Sequence, residues 1–150
     1  MAELERKSKT YLPAGMPVPA PAPDGLDREF WDAVKRHELV VQRCNSCRAF
    51  QFGPEWICHE CRSFDLGWHK VEGKGRIFSW ERVWHPAHPA LKSACPYLVV
   101  LVEIPEAGNV RMIGNLIGDP MSEVEFDAPV EAVFEDHDEG FTLLQWRLAR

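Results

Sequence analysis

Four of the five cysteines in this 150-residue chain stand in two tight pairs, Cys44-x-x-Cys47 and Cys58-x-x-Cys61, with ten residues between the pairs. Each C-x-x-C is a turn that points two sulfurs at one place. Two such turns supply the four thiolates of a closed tetrahedral site, with no position left open for a substrate. Zinc fits that ligand set best, and iron takes the same four sulfurs. His59 and His69 are alternative ligands near in sequence. Arg48 and Arg62 follow the second cysteine of each pair, where the backbone of a knuckle must turn and Gly is common. Cys95, alone before Pro96, reads as a small buried residue.

Disulfides would need an oxidising compartment. The opening MAELERKSKTYLPAG lacks the apolar core of a secretory signal. No stretch approaches the roughly 20 apolar residues of a membrane span. The expectation is a cytoplasmic chain with no membrane contact, where thiols stay reduced. A thioredoxin-like redox pair would sit beside a βαβ pattern, which is absent here.

Two further stretches could do chemistry. In GRIFSWERVWH, Arg76, Phe78, Trp80, Arg82 and Trp84 fall on one strand face at period two. Aromatics between arginines could stack an adenine ring and grip phosphates, as in acyl-CoA, because the guanidinium fork matches phosphate. The same face would suit single-stranded nucleic acid. Equally, the aromatics could fill a barrel while the arginines are solvated, and a bulge in the strand would switch its faces. HPAHPA places His85 and His88 between prolines that favour a loop. Either imidazole could move a proton near neutral pH. A rigid connection is the simpler reading, and no complete catalytic set stands out.

The elements that must position these residues divide the chain. Residues 1–26 hold PAGMPVPAPAPDG, whose prolines block helix and ladder and favour an extended arm. Within 27–40, Asp27 suits a helix N-cap, Leu26 and Trp31 suit a hydrophobic staple, and Phe30, Ala33, Val34 and His37 share a face. That pattern predicts a helix over 28–38. Residues 41–70 form the metal ribbon, a segment too short to bury a sufficient core unaided. Residues 71–150 read as five strands, at 75–85, 96–104, 110–118, 129–136 and 141–149, separated by turns. Five strands with little helix predict a small closed barrel, and an OB-fold matches best.

The net charge is −6. Residues 1–70 balance, so the whole deficit lies in 71–150, and Asp119–Glu139 carries nine acids without a Lys or Arg. Phosphate contacts dominate nucleic-acid affinity and demand a basic patch, so this half argues against such a ligand.

Taken in order, the Phe30-Trp31 helix, LVVQRCNSC, CHEC, GKGRIFSW, PYLVVLVEI, RMIGNLIGDP and PVEAVFED resemble the DUF35 family, over nearly the whole chain. RAFQFGPEW is a looser match to that family's Gly and aromatic-proline segment. The resemblance implies a mainly β chain: a helix, a rubredoxin-like zinc ribbon and a five-stranded OB-fold. It also implies an accessory, non-catalytic subunit in a hetero-oligomer with a thiolase-fold enzyme, or a hydratase partner, acting on acyl-CoA. The partner's reaction would be thiolysis, condensation or retro-aldol cleavage, including of steroid side chains. The extended arm and six tryptophans suit such an assembly. A single-stranded nucleic-acid-binding OB protein is the alternative.

Overall fold

The structure is a computed structural model that describes residues 20–149. The proline-rich arm expected over 1–26 therefore lies outside the described residues up to residue 19.

Apolar spacing in REFWDAVK produces helix α1, Arg28–Lys35, which buries Phe30, Ala33 and Val34. Asp27 occupies the N-cap position but makes no capping hydrogen bond. Its Oδ2 instead accepts from the Trp31 indole at 3.0 Å. The helix ends earlier than the expected 38 because His37 adopts a left-handed conformation, φ 60°. His37 N–H then bonds the carbonyl of Val34, and Glu38 N–H that of Ala33, closing the end in the manner of a Schellman motif. His37 thus leaves the helix face it was expected to share. Its ring stacks on Phe134 and its Nε2 lies 2.9 Å from Asp136 Oδ1.

Strands β1 (Leu39–Cys44), β2 (Phe50–Gln51) and β3 (Leu66–Val71) form a sheet in the order β2-β1-β3, all antiparallel. The second sheet contains β4 (Lys74–Val83), β5 (Tyr97–Ile104), β6 (Val110–Asn115), β7 (Pro129–Asp136) and β8 (Thr142–Leu148), in the order β6-β5-β4-β7-β8. The long strand β4 pairs with β5 at one end and β7 at the other, as the first strand of an OB-fold must. Leu116 bridges Trp146 in parallel, and Ile117 N–H donates to Trp146 O at 2.7 Å, so β6 nearly closes on β8. The five expected barrel strands are all present, three of them (β4, β6 and β8) ending earlier than expected.

Gly75 and Gly114 stand where neighbouring strands approach too closely for a side chain. A Cβ on Gly75 would lie 2.7 Å from Glu103 O, and one on Gly114 would lie 2.7 Å from Trp146 Cδ1. The buried apolar residues form one continuous cluster from Phe30 and Val34, through Leu39, Val41 and Val71, to Val100, Met112 and Trp146. Helix, ribbon and barrel therefore share a core. No helix among the described residues is long and apolar enough to cross a membrane.

Candidate metal centre and barrel surface

The two cysteine pairs adopt the same local structure. Cys44 N–H donates to Ala49 O, and Arg48 N–H donates back to Cys44 O. Cys58 N–H donates to Ser63 O, and Arg62 N–H donates back to Cys58 O. Both turns need a left-handed residue after the second cysteine, and Arg48 (φ 71°) and Arg62 (φ 63°) supply it without Gly. The Ser46 and Ser63 hydroxyls meet at 2.9 Å and tie one turn to the other.

This symmetry gathers Cys44, Cys47, Cys58 and Cys61 so that all four sulfurs lie within 4.8 Å of one another. The Cys44–Cys61 and Cys47–Cys58 Sγ separations are both 3.6 Å. A tetrahedron of thiolates around zinc has edges of about 3.8 Å, from a Zn–S bond of about 2.3 Å. The sulfurs therefore fit a structural zinc, with Cys44 and Cys58 buried and Cys47 and Cys61 at the surface.

Their electrostatics point the same way. Backbone hydrogen bonding from Cys47 holds the Cys44 thiol down at about 6. At Cys47 the Ala49 N–H pulls downward, but desolvation and the three crowding sulfurs outweigh it and push that thiol up to about 12. Four thiolates at this spacing need a cation between them. Neither expected alternative ligand joins the cluster. His59 directs Nδ1 to Gln51 Oε1, and the His69 ring packs edge-on against Phe50 in the β1–β3 sheet.

The face expected from Arg76 to Trp84 along β4 is not a single face. The register of β4 against β5 shifts between Ile77 and Ser79, leaving Phe78 as an extra residue. A bulge of this kind reverses the alternation. Arg76 stands opposite Glu103 on the outer side, whereas Trp80 and Arg82 stand opposite the buried Val100 and Leu98. Trp84 lies beyond the strand and is 54% exposed.

Both arginines already have partners. Arg76 donates Nη2 to Glu103 Oε1 at 2.6 Å. Arg82 donates to the carbonyls of Pro120 and Ser122 at 2.7 and 2.6 Å, pinning the β6–β7 loop. The proposed quartet of Arg76, Trp80, Arg82 and Trp84 is thus divided between two sides.

The outer face holds a group the sequence reading missed. The Glu103 side chain is only 7% exposed, between Arg76 and Arg111. The Arg111 guanidinium carbon lies 3.5 Å from the Phe78 ring centroid. Arg76 and Arg111 lie opposite or nearly opposite Glu103 only through the β4–β5–β6 register, which spacing alone does not give. Beside this group, Ile113 is 69% exposed. His85 and His88 lie in an exposed loop leading to a short 3-10 turn, Pro89–Ala94, and Cys95 is half-buried.

Comparison with known proteins agrees with this architecture. The family described as the ChsH2 rubredoxin-like zinc ribbon domain matches residues 31–67, and that described as the ChsH2 C-terminal OB-fold domain matches residues 68–135. A probable enoyl-CoA hydratase alpha subunit of Thermomonospora curvata is 37% identical over 124 residues, covering 82% of this chain and 38% of that protein. A 3-oxo-4,17-pregnadiene-20-carboxyl-CoA hydratase alpha subunit of Mycobacterium tuberculosis is 30% identical, covering 97% of this chain and 49% of that protein. The chain thus spans about half, or less, of the length of these curated relatives. Among solved structures, a chain of an Ltp2-ChsH2(DUF35) aldolase is 33% identical, with a TM-score of 0.77, covering 87% of this chain and 99% of that one. A DUF35 protein of Sulfolobus solfataricus, of unknown function, shares the fold at 13% identity and a TM-score of 0.54, covering 81% and 83% of the two chains.

Proposed function

The chain belongs to the DUF35 family, and from that premise we propose that it is the non-catalytic zinc-ribbon and OB-fold subunit of an acyl-CoA-processing complex, paired with a thiolase-fold enzyme. The observation that carries this reading is the 33% identity over 99% of the ChsH2(DUF35) chain of a two-component aldolase. That likeness favours retro-aldol cleavage over thiolysis as the partner's reaction. Such a step removes a hydroxyl proton, breaks the adjacent carbon–carbon bond and delivers the electron pair to a thioester enolate. It needs a general base and a stabilised oxyanion, which this reading assigns to the partner.

The surface of this chain suits a supporting role. Several buried or half-buried polar side chains are spent on one another: Gln42 on Gln51, and Glu103 on Arg76 and Arg111. Exposed Phe78, Trp84, Ile113, Met121 and Phe126 are the kind of side chain that becomes buried in a protein interface. The same arrangement weighs against the nucleic-acid alternative, because the two outer-face arginines are already paired with Glu103, and Asp127 lies 3.8 Å from Arg76. Acyl-CoA is a ligand of the complex in this reading. The two-sided placement of Arg76, Trp80, Arg82 and Trp84 gives no support for those four acting together on it.

A hydratase-type partner is the second reading, favoured by the descriptions of the two curated relatives. This chain spans 38% and 49% of those two relatives. Co-expression with a thiolase-fold enzyme from the same source tests the first reading. One co-eluting hetero-oligomer on size exclusion is expected. Separate elution of the two chains at micromolar concentration would contradict it.

A further inference from the structure

Between β2 and the second cysteine turn, residues 52–57 have no strand partner. Two buried glutamines serve their backbone instead. Gln42 and Gln51 face each other across the β1–β2 pair. Gln51 Nε2 donates to Gln42 Oε1 at 2.6 Å, so the two amides act as one unit. Gln42 Nε2 donates to Glu55 O and its Oε1 accepts from Glu55 N–H, both at 3.0 Å. Gln51 Nε2 also donates to Ile57 O at 3.3 Å, and its Oε1 accepts from His59 N–H at 3.1 Å. Four main-chain groups flanking Cys58 are thereby held by two side chains.

Both glutamines are about 5% exposed, so a lost partner would leave a buried polar group unpaired. Gln42 also lies two residues before Cys44 on β1, hence on the same face as that ligand. The amide pair therefore spans from the strand that carries the first cysteine turn to the segment that carries the second. Gln51 Oε1 in addition takes the His59 ring at Nδ1, 3.1 Å away, while His59 Nε2 lies 3.3 Å from Glu60 Oε1. Both ring nitrogens of the one histidine inside a cysteine turn are thus occupied.

We propose that Gln42 and Gln51 are positioning residues for the metal centre: they set the second cysteine turn against the first and keep His59 off the metal, preserving an all-thiolate site. Outer-shell groups that orient metal ligands are typically worth about 10- to 100-fold in metal affinity.

The test uses the full chain loaded with zinc or cobalt(II). Gln51→Met roughly keeps the side-chain volume and removes every side-chain hydrogen bond of Gln51. It is expected to lower zinc affinity about 10- to 100-fold in a chelator competition, with the barrel's strand signal in circular dichroism retained. Its cobalt(II) spectrum is expected to shift to shorter wavelength as His59 nitrogen replaces a sulfur, and His59→Ala in that background to restore the all-sulfur spectrum. Gln51→Glu keeps an acceptor for His59 N–H and loses the donors, so its affinity is expected between wild type and Gln51→Met. Wild-type zinc affinity in Gln51→Met overturns the positioning role, and an unshifted cobalt spectrum overturns the exclusion of His59. Where Gln51→Met yields no folded protein, wild-type affinity in Gln51→Glu overturns the proposal.

Discussion

Arg76 and Glu103 face each other across β4 and β5, and Arg76 donates both Nε, at 3.0 Å, and Nη2, at 2.6 Å, to the same carboxylate oxygen. Hydrogen bonding from Arg76 holds the Glu103 carboxyl below the usual range; burial opposes this and Arg111 adds to it. A carboxyl whose pKa is depressed by folding contributes stability above its unfolded value. That contribution is lost as the pH falls through the lower folded value. Arg76→Ala is therefore expected to destabilise the barrel at neutral pH and to move acid unfolding to higher pH. Thermal denaturation followed from pH 7 downward checks it. Superimposable pH profiles for variant and wild type would count against the pairing.

The four-sulfur site is expected to make the ribbon metal-dependent. Metal analysis of native protein should find one zinc, or iron, per chain. Cys58→Ser removes a buried ligand and is expected to abolish stoichiometric binding and lower the melting temperature, because binding energy in such modules is folding energy. A melting curve that chelator leaves unmoved is the contrary result.

Arg48 and Arg62 both carry positive φ, which costs a residue with a Cβ on the order of 1–2 kcal/mol. Gly relieves that strain but loses about 0.5–1 kcal/mol to chain entropy. Arg48→Gly should therefore leave stability unchanged or raise it by up to about 1.5 kcal/mol, while Arg48→Val lowers it. Denaturant titration of the zinc-loaded chain distinguishes them.

Trp146 is fully buried and closes β8 against β6 at Gly114. Trp146→Ala should cost about 3–5 kcal/mol, the range for deleting a large core aromatic. Gly114→Val should cost about 1–3 kcal/mol by overpacking, since its Cβ would lie 2.7 Å from the indole. A smaller change at Gly114 than at the open, exposed Gly53 would contradict this closure.

The legible features were those set by local spacing. Two C-x-x-C turns declare their ligands because two residues between cysteines leave few geometries. The barrel strands declare themselves by alternation and turn residues. Long-range placement was not legible. The bulge at Phe78 reversed the faces of β4 without a Gly or Pro to mark it. His37 ended the helix in a conformation usually given to Gly. Asp27 had the right identity for a cap but found the Trp31 indole instead. Gln42, Gln51 and Glu103 acquire their roles only once cross-strand register is fixed, and register depends on the core and the turns together.

The central claim concerns where the chemistry resides, and reconstituted turnover tests it most directly. The rate of acyl-CoA cleavage is to be measured for the thiolase-fold partner alone, for this chain alone, and for the two mixed, with His85→Ala and His88→Ala as further forms of this chain. The account expects no turnover by this chain, little by the partner alone, full turnover by the mixture, and an undiminished rate with both histidine variants. Full turnover by the partner alone, or lost chemistry in an intact complex carrying a histidine variant, would contradict it.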